Sequence, residues 1–230
     1  ENNLRQFTGV PTGVKVIYAV TQAKTHGAGI AEYAHQIKAD LVVLNGTATV
    51  YEIKSERDSL GRLARQVENY QKVFAKVYVI ASDDHVDGVL GTVPKEVGVV
   101  SLNPRFRVST VRNASNCVDL VCPKAIFESL RSAEARAVLK KLQAEVPDVP
   151  NTRLHAVMRE IFATLQPALV HGAMVETLKR TRSLLPIGPL IDRLPESLHA
   201  AALTIDIRPA DHDRLVNALQ AQLDDAMRWT

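Results

Sequence analysis

The sequence predicts an α/β fold: a mixed β-sheet flanked by helices, followed by a largely helical C-terminal region. Three observations carry this. The continuous apolar run Leu41-Val42-Val43-Leu44 meets Asn45-Gly46 and then a β-branched stretch running to Ser55, the pattern of a hairpin. Two further apolar runs, residues 76–82 (KVYVIAS) and 97–102 (VGVVSL), are separated from the hairpin and from each other by helical stretches. A strand–helix–strand–helix–strand order after a hairpin gives a mixed sheet. Beyond Pro123 the composition turns strongly helical.

The bulk properties bound the rest. A chain of 230 residues has room for one large domain or for a core with an appendage. A hydrophobic fraction of 46% and a mean hydropathy of −0.03 describe a globular chain. No apolar run approaches the ~18–20 residues that cross a bilayer, and the start shows no signal-peptide pattern. We therefore expect no membrane partner. Cys117 and Cys122 are the only cysteines, too few for a disulfide framework or a two-pair zinc site, so a reducing cytoplasm is expected. A net charge of +3 and a pI of about 8.9 agree with a nucleic-acid partner but are too mild to argue for one.

Taken in order, residues 1–13 are polar and turn-rich and open without a helix cap. Either the chain starts inside a longer protein or this segment is a strap. Residues 14–20 (VKVIYAV) suit a strand or a short buried helix, residues 25–29 a loop, and residues 29–36 a short helical turn carrying Glu32 and His35. In the hairpin, a three-residue connection from Asn45 to Thr47 pairs Leu44 with Ala48 and brings Asp40 opposite Glu52. A two-residue turn would shift the register by one; the longer connection is favoured because it joins the two carboxylates. Side chains alternate along a strand, so Glu52 and Lys54 share one face and Ile53 points to the other.

Asp58 or Ser59 caps the next helix, whose apolar stripe is Leu60, Leu63, Val67, Tyr70 and Phe74. Gln66 and Tyr70 lie one turn apart and are expected to look back at the hairpin's charged side. Gln66 would hold a water or phosphate. Tyr70 either contacts a nucleic-acid backbone or is a core residue with a wet hydroxyl. Arg57, Arg62, Arg65 and Lys72 flank the stripe, as a phosphate track or as a solvated face. Asp83-Asp84-His85 is metal-like in composition, but it follows a strand end before a short helix, where Asp is a routine N-cap. Residues 106–113, with Arg105, Arg107 and Arg112, suit an edge strand; the arginines extend a basic groove or protect the edge. Cys122-Pro123 opens a helix, residues 125–142 form one long helix, and residues 146–150 (VPDVP) are the best linker. Beyond it we expect one or two helices over residues 152–185 broken at Pro167, a Pro-rich joint at 186–195, a short strand at 203–207 and a final helix at 211–229. The expected division is a core of residues 1–145 and a helical region of residues 151–230, which covers the sheet, forms a homodimer or binds a protein partner.

Glu52 and Lys54 are either a Glu–Lys pair on the wet face of an ordinary hairpin or the chemistry of the chain; Asp40, the buried flanks and the helix that follows favour the chemistry. Two carboxylates held together repel, and a cation between them resolves the conflict. Mg²⁺ prefers oxygen, keeps several waters and takes one or two carboxylates along with substrate phosphate. Asp40 and Glu52 would hold Mg²⁺ or Mn²⁺, the Ile53 carbonyl would add a ligand, and Lys54 would position the attacking water or stabilise developing charge.

Asp40 followed by Glu52-x-Lys54 resembles the PD-(D/E)xK nuclease superfamily, with Ala39 where the eponymous proline would stand. Gln66-x-x-x-Tyr70 is similar to the Q-x-x-x-Y element of its RecB-like members. The string from Tyr51 to Tyr70 is close to a Y-E-I-K-S pattern of a poorly characterised bacterial and phage family in that superfamily. The resemblance is specific over residues 39–82. It implies a restriction-endonuclease-like fold, a Glu on the first helix that completes the metal site (best matched by Glu32), and metal-dependent hydrolysis of DNA by Asp40, Glu52, Lys54 and Gln66. The alternatives are a nuclease fold that binds DNA or protein without cutting, and an RNA-cleaving nuclease.

Overall fold

The computed structural model describes residues 15–17, 39–105, 107–182, 188–195, 197–198, 202 and 207–227. The helical turn expected at residues 29–36, with Glu32 and His35, lies outside the described residues. Two compact units divide the chain, residues 1–182 and 183–230.

The first unit is built on a six-stranded sheet in the order β1-β2-β3-β4-β5-β6. The strands are β1 (Lys15–Ile17), β2 (Leu41–Asn45), β3 (Thr47–Lys54), β4 (Lys76–Ser82), β5 (Gly98–Leu102) and β6 (Val108–Arg112). β1, β2 and β3 pair antiparallel, β3, β4 and β5 run parallel, and β6 returns antiparallel to β5. The sheet is therefore mixed, as the order of elements predicts. Leu44 pairs with Ala48, the register of the longer hairpin connection. Gly46 sits at the tip at φ +67°, a left-handed conformation that glycine adopts without a Cβ penalty.

Alternation decides what the sheet buries. Val42, Leu44, Ala48, Val50, Val77, Val79 and Val99 belong to one cluster with the helices. Helix α1 (Leu63–Gln71) brings Leu63, Val67 and Tyr70 to that cluster, and α2 (Val86–Thr92) brings Val89. Ser59 starts the helical segment: its Oγ accepts the Gly61 N–H at 3.2 Å, ahead of the 3-10 turn Leu60–Arg62.

The long helix expected over residues 125–142 is two helices, α3 (Pro123–Ser129) and α4 (Ser132–Lys141). Leu130 and Arg131 are extended, and Glu134 turns back to accept the Arg131 N–H at 2.8 Å. A side-chain cap thus restarts a helix where Ala-rich composition alone would have carried it through. Pro123 occupies the first turn of α3, and Pro167 that of the helix it opens.

The expected boundary at residues 146–150 does not divide the units. Helices α5 (Asn151–Ala163) and α6 (Pro167–Thr181) belong to the first one, and Met158, Phe162, Met174 and Leu178 lie in its core cluster. The apolar stripes of both helices need a core, and α6 reaches β3 itself.

The second unit holds α7 (Gly188–Ile191), the 3-10 turn Pro209–Asp211 and α8 (His212–Met227). Leu190, Leu194, Ala202 and Val216 form its small cluster, and Arg193 pairs with Asp213 at 2.6 Å. The strand expected at 203–207 falls largely on residues 203–206, outside the described residues.

One buried ion pair fixes α6 against α4. Arg182 donates from Nε to Glu134 Oε1 at 2.9 Å and from Nη2 to Oε2 at 2.6 Å, and the Thr181 hydroxyl donates to Oε1 at 3.0 Å. Burial disfavours the charged Glu134 carboxylate, but Arg182 and the Arg131 N–H outweigh it and hold its pKa below the usual value of 4.5. A depressed carboxyl pKa stabilises the fold above the ordinary Glu range, and that contribution is lost as pH falls through the folded value. Arg182→Ala should lower stability by about 3 kcal/mol at neutral pH, because it strands a buried charge. The deficit in urea unfolding should shrink as acid protonates Glu134.

Candidate active site

The site lies where β3 ends. Its burial alternates so that Ala48, Val50, Glu52 and Lys54 all point inward, while Ile53 on the opposite face is 44% exposed. A strand that places a carboxylate and an ammonium on its core face must supply partners for both. Lys54 Nζ donates to Glu52 Oε1 at 2.7 Å. The rest come from α1, whose Gln66 and Tyr70 are one turn apart and face β3 as expected. Gln66 Nε2 donates to Glu52 Oε1 at 2.7 Å, and Gln66 Oε1 accepts from Lys54 Nζ at 3.1 Å. The Tyr70 hydroxyl donates to Glu52 Oε2 at 2.6 Å.

Asp40 sits one residue before β2 and continues the ladder with its side chain. Its Oδ2 accepts the Ile53 N–H at 2.8 Å. The two carboxylates are thereby held at one hairpin mouth. Asp40 is exposed as a residue, yet the protein packed around its carboxyl raises its pKa above 3.8, and the nearby negative Glu52 and Asp58 add to the rise. The Ile53 N–H and Lys54 act in the opposite direction without cancelling it.

The flanking loop is ordered by Asp58. Its Oδ2 accepts from the Ser55 backbone N–H and from the Ser55 hydroxyl, each at 2.7 Å, which lowers its pKa. His85 Nε2 lies 3.0 Å from the Asp58 carbonyl and ties this loop to the end of β4. Asp83 opens a 3-10 turn and accepts the Ser101 hydroxyl, and His85 ties back to the Asp58 carbonyl, so these two residues serve local structure.

Asp40, Glu52, Lys54 and Gln66 are thus brought together. Tyr70 joins them from the expected face, as a core residue. It is fully buried, and its hydroxyl is engaged with Glu52, which leaves no surface for the nucleic-acid backbone contact considered from the sequence. Burial first, and then the Glu52 carboxylate, raise its pKa far above the tyrosine range, so it is a permanent neutral donor. Arg57, Arg62 and Arg65 are exposed on the loop and helix beside the site. Glu32 lies outside the described residues, and among the described residues no three His, Cys, Asp or Glu side chains gather to hold a metal ion.

The donor set nevertheless suits a hard divalent cation. Asp40 and Glu52 offer only oxygen, and with Asp58 they outnumber Lys54, the cation of the network. Asp40 Oδ1 has no hydrogen-bond partner among the described residues. An ammonium carries three protons; Glu52 and Gln66 take two, which leaves one for a water or a phosphate oxygen.

Sequence reasoning missed the residues that support this site from behind. Glu134 and Arg182 are 48 positions apart, and Glu128 with Arg159 (2.9 Å) joins α3 to α5 over 31 positions. No local pattern links such pairs. Tyr70→Phe should keep the ring's packing but remove a donor from buried Glu52. We expect a loss of about 2 kcal/mol in chemical denaturation.

Comparison with known proteins places the chain. A solved structure, the SPO1766 protein of unknown function from Silicibacter pomeroyi, aligns with a TM-score of 0.35 and 16% identity over 56% of this chain and 80% of that one. Protein cII of Enterobacteria phage P4 is 34% identical over 83 residues, which are 35% of this chain and 31% of that relative. The aligned stretch thus covers under a third of the relative's length. The family model of bacteriophage P4 protein cII matches residues 28–183, and so ends where the first structural unit ends. With more than half of its length matched, the chain belongs to the bacteriophage P4 protein cII family.

Proposed function

We propose that this protein is a Mg²⁺- or Mn²⁺-dependent nuclease of the PD-(D/E)xK type that hydrolyses DNA phosphodiester bonds at the end of β3. The observation that carries this reading is the convergence of Glu52, Lys54, Gln66 and Tyr70 in one hydrogen-bond network beside Asp40. A hairpin built for structure alone gains nothing from an ion pair on its core face, since apolar side chains would fill that face at no desolvation cost.

Asp40 and Glu52 would hold the ion, with the Ile53 carbonyl beside them. When bound, such an ion lowers the pKa of a coordinated water and offsets charge on the phosphoryl group. Lys54 presents its remaining proton to the attacking water or to a non-bridging oxygen. Gln66 fixes the Lys54 ammonium and the Glu52 carboxylate relative to each other. Tyr70 occupies one Glu52 oxygen from the core side and so turns the carboxylate toward the mouth. The exposed Arg57, Arg62 and Arg65 suit contacts to the phosphate backbone. A reducing, cytoplasmic setting fits the free cysteines Cys117 and Cys122.

A second reading has its own observation. Both oxygens of Glu52 already have side-chain donors, so the network satisfies itself without an ion. A nuclease fold that binds nucleic acid without cutting would look like this. Metal separates the two. In the nuclease reading Mn²⁺ binds the wild type, measured by calorimetry, and Asp40→Ala both weakens that binding at least ten-fold and reduces cleavage at least a thousand-fold. Full cleavage by folded Asp40→Ala would reject the assignment; Mn²⁺ binding absent from the wild type would favour the non-cutting module.

A further inference from the structure

We propose that the turn between β5 and β6 is a second phosphate-binding element, in which Arg105 and Arg107 hold the nucleic-acid backbone at a point separate from the phosphate beside Lys54. The inference rests on the nucleic-acid reading of the site above.

The sheet fixes the position. β3, β4 and β5 are parallel, so their C-terminal ends share one edge. In an open α/β sheet, the crevice beyond those ends is where ligands bind. Lys54 pairs with Ala81, and Ala81 with Ser101, which sets Ser101 level with Lys54 two strands away. Two strand spacings are about 10 Å.

Asn103 ties both arginines of the turn to itself through their backbone. Asn103 Oδ1 accepts the backbone N–H of Arg105 at 2.9 Å and of Arg107 at 3.0 Å, and the Asn103 N–H donates to the Arg107 carbonyl at 3.1 Å. Arg105 and Arg107 are exposed, and neither side chain has an ion pair or hydrogen bond among the described residues. Arg112, by contrast, is used as an anchor: its Nε donates to the Val97 carbonyl at 2.8 Å and its Nη2 to the Pro94 carbonyl at 2.9 Å.

The returning strand sharpens the point. Residues 108–111 of β6 are all exposed, so this strand adds almost nothing to the core. What the arm does hold is a pair of guanidinium groups without partners among the described residues, at the edge where the phosphodiester would react. Acidic side chains lie between the two basic positions. Asp83 is occupied by the Ser101 hydroxyl, and exposed Asp84 repels phosphate from the gap. The backbone contacts therefore fall at two separate places, beside Lys54 and at the turn.

The test is equilibrium binding of fluorescein-labelled oligonucleotides of about 20 residues, enough to span both positions. Duplex DNA, single-stranded DNA and RNA would be titrated by anisotropy, with Ca²⁺ in place of Mg²⁺, across a salt series. The double variant Arg105→Ala/Arg107→Ala should bind about ten-fold more weakly near 0.1 M salt, with a slope of log K against log salt shallower by about two. Arg105→Lys/Arg107→Lys should recover most of the slope. Backbone atoms make the turn's hydrogen bonds, so both variants keep them. Wild-type affinity and slope in the Ala variant would overturn the turn contact and leave the site reading standing. Wild-type protein that binds none of the three probes would overturn both.

Discussion

The buried Glu52 carboxylate is the constraint on which the first unit depends. A carboxylate on the core face of a central strand is costly unless donors surround it. Three side chains do so, and two of them, Gln66 and Tyr70, come from α1. Satisfying Glu52 therefore sets how α1 is rotated and how far it lies along β3. The apolar stripe of α1 would settle the rotation only coarsely, because Leu63, Val67 and Tyr70 can pack on a pleated surface in neighbouring positions. The hydrogen bonds remove that freedom. They also place the helix's exposed Arg65, with Arg62 of the turn before it, beside the hairpin mouth.

The same logic recurs on the far side of the core. Glu134 is as buried as Glu52, and Arg182 meets it with two hydrogen bonds while the Arg131 N–H and Thr181 hydroxyl complete its shell. That contact joins α4 to the end of α6, and α6 lies on β3. The strand carrying Glu52 and Lys54 is thus held by α1 and by α6. Such support keeps the polar groups aligned without relying on loops.

How much of this was legible in the sequence depends on the range of the interaction. The hairpin register was legible, because Asn45-Gly46 and the continuous run of residues 41–44 are local signals. β4 appears over the residues that its apolar run delimits, and Gln66 and Tyr70 share the predicted face because their spacing dictates it. The break at Leu130 was not legible, since it depends on the Glu134 side chain competing with a strongly helical composition. Nor was the domain boundary. The two prolines of residues 146–150 punctuate the chain, but α5 and α6 must bury their stripes, and the core that accepts them lies earlier in the sequence. The fate of Tyr70 was open for a similar reason: its position allowed either a nucleic-acid contact or a core ring with a wet hydroxyl, and only the location of Glu52 decides what the hydroxyl meets. The Glu134–Arg182 pair leaves no trace at all in local spacing.

The match to the bacteriophage P4 protein cII family spans residues 28–183, which include every residue of the network. The direct test of the account is hydrolysis by the wild-type protein. Linear duplex, single-stranded and supercoiled DNA would be incubated with Mn²⁺, with Mg²⁺ and with EDTA, beside Lys54→Met, which keeps the buried stem but removes the ammonium. The account predicts cutting with either metal, none with EDTA, and none by the variant. Cutting that persists in EDTA, or that Lys54→Met retains in full, would contradict it.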